Sequence, residues 1–320
     1  MTMMMKAMVI DQFGGSDRLH PVELPVPKPA ANEVLIKLAY TAVNPVDWKI
    51  REGWLNSLFP HEFPLIPGWD AAGTVAAVGE AVTAFVPGNR VFAYCRKPLV
   101  RWGTYAGYVT MAATAVAPMP STISFAQAGA IPLVGLTAWQ SLFDAAGLGA
   151  GQTVLIHGGA GGIGSLAIQF AKHAGACVIT TASVRNHDYV RALGADVAID
   201  YRSTDFVAAT RAAAPQGVDV AFDTVGGAVL KETWLTLKPG GFLVGVVDVP
   251  DGAEAQRHGV RCGHVFVSPN GRQLAQIGSL IDGGRVQPSE ITEMALDDAA
   301  AAQDVSRSGH VRGKIVLRID

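Results

Sequence analysis

The sequence predicts an α/β protein in two parts: a β-rich first part and a doubly wound parallel sheet. Three observations carry this. The 320 residues exceed what one hydrophobic core comfortably organises, so two domains are expected. Up to residue 124 the chain offers short strand-like runs separated by Gly and Pro turns, whereas from 125 to 267 apolar strands alternate with helical stretches, the pattern of βαβ crossovers. Within that second part, one apolar run breaks directly into glycines and then into an amphipathic helix.

In chain order, the first part gives strand candidates at 6–10, 33–42, 73–78, 90–94 and 104–111. Gly14-Gly15, the prolines between 25 and 29, and Pro87-Gly88 punctuate them. The second part gives strands at 153–157, 177–182, 196–200, 218–223 and 242–248, with 264–267 as a sixth. After Pro269 come one or two helices, including the alanine-rich stretch 298–302, and a last strand at 314–318 that is assigned back to the first domain. The expected domains are therefore 1–124 completed by 268–320, and 125–267.

The run Val154-Leu155-Ile156-His157-Gly158-Gly159-Ala160-Gly161-Gly162-Ile163-Gly164 carries the chemistry. Gly159, Gly161 and Gly164 fill G-x-G-x-x-G, where absent side chains permit a tight turn, close approach of backbone N–H groups to a pyrophosphate, and close helix-to-strand packing. Ile163, Leu166, Ala167, Phe170, Ala171 and Ala174 then form a helical stripe ended by Gly175. The N-terminus of such a helix offers free N–H groups and a positive dipole to phosphates. The motif alone is weak, but strand, glycine loop, helix and the second strand from Cys177 form the context that supports a dinucleotide site.

The choice of dinucleotide falls at the end of that second strand, where NAD-binding proteins place an acid on the ribose 2′-hydroxyl. Here the chain reads Thr181-Ala182-Ser183-Val184-Arg185-Asn186, with no carboxylate to repel a 2′-phosphate. Ser183, Arg185 and Asn186 can hydrogen-bond one, which favours NADPH, although the same residues suit a solvated loop. Asp188 reads as an acid in the first turn of the next helix.

Composition limits the partners. With 25 basic and 27 acidic side chains the net charge is −2, and no Lys/Arg run stands out, so no nucleic-acid partner and no anionic membrane are expected. Cys95, Cys177 and Cys262 are scattered without C-x-x-C spacing and read as buried small hydrophobes. No apolar stretch approaches the ~18 residues of a spanning helix, and the N-terminus lacks a leader pattern, so a cytoplasmic protein is expected.

The phrases Val43-Asn44-Pro45-Val46-Asp47-Trp48-Lys49, Pro67-Gly68-Trp69-Asp70-Ala71-Ala72-Gly73, Gly135-Leu136-Thr137-Ala138-Trp139, the glycine loop, and Gly309-His310-Val311-Arg312-Gly313-Lys314 together resemble the medium-chain dehydrogenase/reductase superfamily, most closely its zinc-free quinone oxidoreductase branch. The resemblance spans essentially the whole chain. It implies an N-terminal GroES-like β-domain, a Rossmann domain, an active site in the cleft between them, and a homodimer.

Where zinc-dependent alcohol dehydrogenases of that superfamily carry cysteine, histidine and cysteine as catalytic ligands, this chain has Asn44, Trp69 and Val134, which cannot form a zinc cage. Only Cys95 lies near the expected structural zinc lobe. The resemblance places Gly159, Gly161, Gly162, Ile163 and Gly164 in the phosphate loop, Ser183 and Arg185 at the 2′-phosphate, Tyr201 beside that site, and Thr137 and Asn44 near the nicotinamide end. Tyr201 equally suits a strand-end aromatic packed on a helix, and Asn44 a turn residue before Pro45.

Lys49 matches the plant-type enone oxidoreductases, where this position is associated with the nicotinamide ribose; desolvation there would lower its pKa and let it orient the ribose or relay a proton. A solvated surface lysine is the alternative. The loop 54–67, with Phe59, His61 and Phe63, is expected to cover the cleft and shape an apolar pocket, with His61 an incidental imidazole.

These features predict an NADPH-dependent, zinc-independent reductase of quinones or of the C=C bond of α,β-unsaturated carbonyl compounds, with Lys49 and Asn44 as candidate catalytic residues. Two alternatives stay open: an enoyl thioester reductase, and a non-catalytic NADPH-binding protein of the lens-crystallin or redox-sensor kind.

Overall fold

The computed structural model describes residues 2–319. The chain divides into two compact units, one of residues 1–133, 268–283 and 288–320, the other of residues 134–267 and 284–287. The first break thus falls at Leu133/Val134 and not at 124/125. The apolar stretch 125–133, which reads as the start of the second domain, forms the short helix Phe125–Gly129 and packs its Ala126 and Ala130 against Ala42 and Val316 of the first.

Six strands of the second unit form one parallel sheet in the spatial order Val197–Ile199, Cys177–Thr181, Thr153–Ile156, Val218–Asp223, Leu237–Gly245, Arg261–His264. This is the doubly wound order in which the first strand lies in the middle, with helices as crossovers. Val154, Leu155, Ile156, Leu243 and Val244 are fully buried, as strands covered on both faces require. The sixth strand is Arg261–His264, not 264–267, because Arg261 to His264 pair with Phe242 to Gly245. The fifth starts earlier than expected, at Leu237, across a register shift against Val218–Asp223.

In the first unit a seven-stranded sheet runs Ile291–Ala295, Lys314–Arg318, Glu33–Val43, Asp70–Val78, Arg90–Tyr94, Val116–Pro118, with Tyr108–Ala112 also on Glu33–Val43. The last strand of the chain pairs antiparallel with Tyr40 to Val43, which brings Lys314 to the end of that strand. The expected strand at 104–111 starts only at Tyr108 and runs to Ala112. His20–Pro25, His61–Ile66, Val100–Trp102, Val116–Pro118 and Ile291–Ala295 are strands that the sequence reading left as loop or helix.

Cys95 is buried, but Cys177 is exposed and Cys262 half-exposed, against the expectation that all three are core residues. Cys177 opens its strand at the sheet's rim, where side chains still meet water. Among the described residues no helix is long and apolar enough to cross a membrane.

Candidate functional site

The glycine loop joins the Thr153–Ile156 strand to the helix Gly162–His173, beside the point where the sheet's strand order reverses. Three of its glycines, Gly158, Gly159 and Gly164, answer to a measurable constraint. Gly158 has φ +67°. A Cβ on Gly159 would fall 2.1 Å from Thr180 Oγ1, and one on Gly164 would fall 2.3 Å from Gly158 O and 2.6 Å from Gly159 Cα, so helix and loop touch backbone to backbone. A Cβ on Gly161 would meet only Gly158 O at 3.4 Å; protein does not fill that side, and a ligand can. The first helical bond runs from Ser165 N–H to Gly161 O, which leaves the N–H groups of Gly162, Ile163 and Gly164 without intrahelical acceptors. That array fits the pyrophosphate of a dinucleotide.

At the end of Cys177–Thr181, Ser183 is buried and receives a hydrogen bond from Asn186 Nδ2 at 3.3 Å, while Arg185 is exposed. Asp188 lies in the first turn of the helix His187–Ala192 and faces Arg191 at 3.6 Å, as a first-turn acid should. Tyr201 is 49% exposed and lies two residues after the strand Val197–Ile199. Its neighbour Arg202 holds its guanidinium 5.9 Å from the ring centroid, a cation beside Tyr201 that the sequence reading passed over.

Thr137 is buried in the helix Pro132–Trp139, which runs on into the π-helical turn Gln140–Ala145, itself held by Trp139 against Phe143 and Phe170. Such turns are frequent at functional sites.

Asn44 and Lys49 lie in the first unit, on the helix Pro45–Arg51 and its N-cap. Lys49 is half-buried, with Nζ 5.6 Å from the Trp48 ring centroid, so its stem and charge lean on an indole instead of standing free in water. Asn44 is 1% exposed and both ends of its amide are engaged: Nδ2 donates to Asp70 Oδ2 at 2.7 Å, and Oδ1 accepts from the Lys314 ammonium. It is therefore both the residue before Pro45 and the hub of a buried polar network, a placement that suits anchoring more than contact with substrate.

That network was invisible in the sequence. Lys314 also donates to Val43 O at 2.9 Å and stands 3.7 Å from Asp70 Oδ2; Asp70 Oδ1 accepts from Leu133 N–H at 2.6 Å. Asp47 Oδ2 accepts from Asn44 N–H at 2.8 Å and from the Tyr105 hydroxyl at 3.0 Å, whereas Oδ1 is buried without a partner. Burial pushes the Asp47 carboxyl up to about 7, against the pull of these donors and of Lys314. Burial likewise raises Asp70 and lowers Lys314, so desolvation outweighs their mutual attraction.

The segment 54–67 is only partly a loop. His61–Ile66 is a strand paired in parallel with Val100–Trp102, and His61 and Phe63 pack on Phe13 at 4.8 and 5.1 Å between ring centroids. Phe13, 40 and more residues upstream, supplies the apolar partner that a covering loop would have lacked.

Residues 30–121 match the alcohol dehydrogenase GroES-like domain family, and residues 193–317 the zinc-binding dehydrogenase family. The chain is 32% identical over 315 residues to the chloroplast envelope quinone oxidoreductase homolog of Arabidopsis thaliana, covering 95% of both chains. The chain belongs to the quinone and enone oxidoreductase branch of the medium-chain dehydrogenase/reductase superfamily. A second member of the superfamily, the NADPH-dependent alkenal/one oxidoreductase of Arabidopsis thaliana, is 34% identical over 325 residues, covering 98% of this chain and 79% of that protein. The solved quinone oxidoreductase of Coxiella burnetii superposes with a TM-score of 0.89 at 34% identity, covering 99% of this chain and 100% of the other.

The zinc-ligand positions of this superfamily have a distinct content here. Trp69 is buried edge-on to Tyr94 at 6.0 Å, Val134 is buried, and Asn44 already holds an ammonium. Neither an indole nor an isopropyl group offers a ligand atom to Zn²⁺, and the Asn44 amide oxygen is already engaged by an ammonium, so these side chains do not fit the metal.

Proposed function

We infer that this chain is an NADPH-dependent, zinc-independent reductase that delivers hydride to quinones or to the C=C bond of α,β-unsaturated carbonyl compounds. The observation that carries the reading is the pairing of Asn44 with Lys314: the position that would begin a zinc cage is occupied by an amide locked to a buried cation. Reduction of a simple ketone or aldehyde places full alkoxide charge on one oxygen, the charge that a metal stabilises in zinc enzymes. A quinone or enone spreads that charge through a conjugated carbonyl, so ordinary hydrogen-bond donors suffice.

The bound dinucleotide supplies the hydride from its reduced nicotinamide. The chain's own residues do the rest. The N–H groups at 162–164 hold the pyrophosphate, while Ser183 and Arg185, with Tyr201 beside them, hold the 2′-phosphate. Lys49, which rests on Trp48, orients the ribose and supplies a proton to an enolate oxygen. Fixed orientation of nicotinamide and substrate then provides most of the acceleration.

The test uses protein dialysed exhaustively against a strong chelator, an open-chain enone, and NADPH carrying deuterium at the transferable position. Activity should survive dialysis, and the product should be the saturated ketone with deuterium on the β-carbon and the solvent proton on the α-carbon. An allylic alcohol labelled at the carbonyl carbon, or activity that returns only with zinc, would overturn the reading.

A further inference from the structure

His157 ends the first strand of the parallel sheet and opens the glycine loop, yet its ring is 1% exposed and lies edge-on to Phe206 at 4.9 Å. The surrounding hydrogen bonds assign every proton. Thr233 Oγ1 lies 2.6 Å from Val229 O; a carbonyl only accepts, so the hydroxyl spends its one proton there. Its oxygen must then accept from His157 Nε2, 3.0 Å away, which therefore carries the ring hydrogen. Nδ1 is left bare, and the Thr181 hydroxyl, 3.2 Å away, donates to it. The same Thr181 oxygen accepts from Gly158 N–H at 3.1 Å.

A one-way chain results, from Gly158 N–H through Thr181, His157 and Thr233 to Val229 O. Desolvation, which lowers the imidazole's pKa to about 3, keeps the ring in the neutral form that the chain requires.

We propose that His157, as its neutral Nε2–H tautomer, is a positioning residue for the pyrophosphate loop, fixing Gly158 through Thr181 and anchoring both to the helix Gly227–Thr233. The proposal rests on the reading of 158–164 as that loop. Gly158 is where position matters most, for it turns at φ +67° and its carbonyl is the atom against which Gly164 packs. The backbone of His157 is held separately, by Thr224 Oγ1 to its carbonyl at 2.7 Å and by its own N–H to Phe222 O at 3.0 Å, so the ring's contribution is specifically the bond that reaches Gly158. Thr181 holds the loop twice, since its carbonyl also accepts from Gly159 N–H at 3.0 Å.

The test is a set of cofactor titrations with His157→Leu, His157→Asn, Thr181→Val, the double variant His157→Leu/Thr181→Val, and Gly161→Ala as the loop control. His157→Leu and Thr181→Val should each weaken NADPH and NADH alike by about tenfold, the scale of one net hydrogen bond, and the double variant should be little worse than either. His157→Asn, whose amide oxygen can accept from Thr181 in place of Nδ1, should recover most of the affinity. In turnover the loss should fall on the NADPH KM, not on kcat. Independently of any variant, ¹⁵N imidazole shifts of the wild type should report the Nε2–H tautomer without protonation between about pH 5 and 8. An Nδ1–H tautomer, additive losses, or an unchanged Kd in His157→Leu beside a weakened Gly161→Ala would overturn the proposal. An unchanged Kd in Gly161→Ala would overturn the loop reading itself.

Discussion

Arg185 stands where NADPH and NADH differ, at the end of the second strand of the parallel sheet, and no carboxylate lies between Thr181 and His187 to oppose a phosphate. Its side chain is exposed, so solvent screens its charge and the expected contribution sits at the low end of a charged hydrogen bond. Arg185→Ala should therefore weaken NADPH by roughly 1.5 kcal/mol, about tenfold, while NADH binding stays level. Titration of both cofactors against both proteins decides it. Equal losses for the two, or none, would move the 2′-phosphate away from Arg185 and leave Arg202, beside Tyr201, as an alternative cation.

At the scale of the element, the junction of glycine loop and helix makes a paired prediction. Gly164→Ala would press a methyl group onto Gly158 O and Gly159 Cα at 2.3 and 2.6 Å, so it should lower the unfolding temperature as well as the affinity for NADPH. Gly161→Ala meets only one oxygen at 3.4 Å and has φ −80°, which alanine adopts freely, so it should leave thermal stability nearly unchanged and weaken only the cofactor. Thermal melts with and without NADPH separate the two; equal destabilisation of both apo variants would refute the division of labour. This junction was legible in the sequence because strand, glycines and helix stripe are contiguous. The strands His61–Ile66 and Val100–Trp102 were not, since Pro64 and the charged Glu62 and Arg101 break any alternation and each strand needs a partner some 40 residues away. The Asn44–Asp70–Lys314 network was illegible for the same reason, since its members are up to 270 positions apart and only strand pairing brings Lys314 to Asn44. His157 lay in plain sight within the motif, but only its threonine neighbours reveal what the ring does.

For the whole molecule, two buried titratable groups pull the two units in opposite directions as pH changes. Asp47, in the first unit, has its carboxyl raised from 3.8 to about 7 by burial, so the fold prefers it protonated. Its stabilising share is complete below the unfolded value and is lost as pH rises toward 7. Asp70, raised by burial beside it, pulls in the same direction, while Lys314 supplies the only ammonium of the described network. His157, in the second unit, has its imidazole lowered from 6.5 to about 3, so the fold prefers it neutral. Its share is complete above the unfolded value and is lost as pH falls toward 3. Between about pH 4 and 6.5 the first unit should therefore lose stability on going up in pH and the second on going down, each by about 1.4 kcal/mol per pH unit for a single fully coupled group. A single global melt would hide this, because the slopes cancel. Hydrogen exchange corrected for intrinsic rates resolves it, with amides of Glu33–Val43 reporting on one unit and those of Val218–Asp223 on the other. Asp47→Asn should reduce the first slope alone, Asp70 keeping its share, and His157→Asn should reduce the second alone. Parallel slopes in the two strands, or a slope unchanged in its own variant, would show that these two groups do not govern the response.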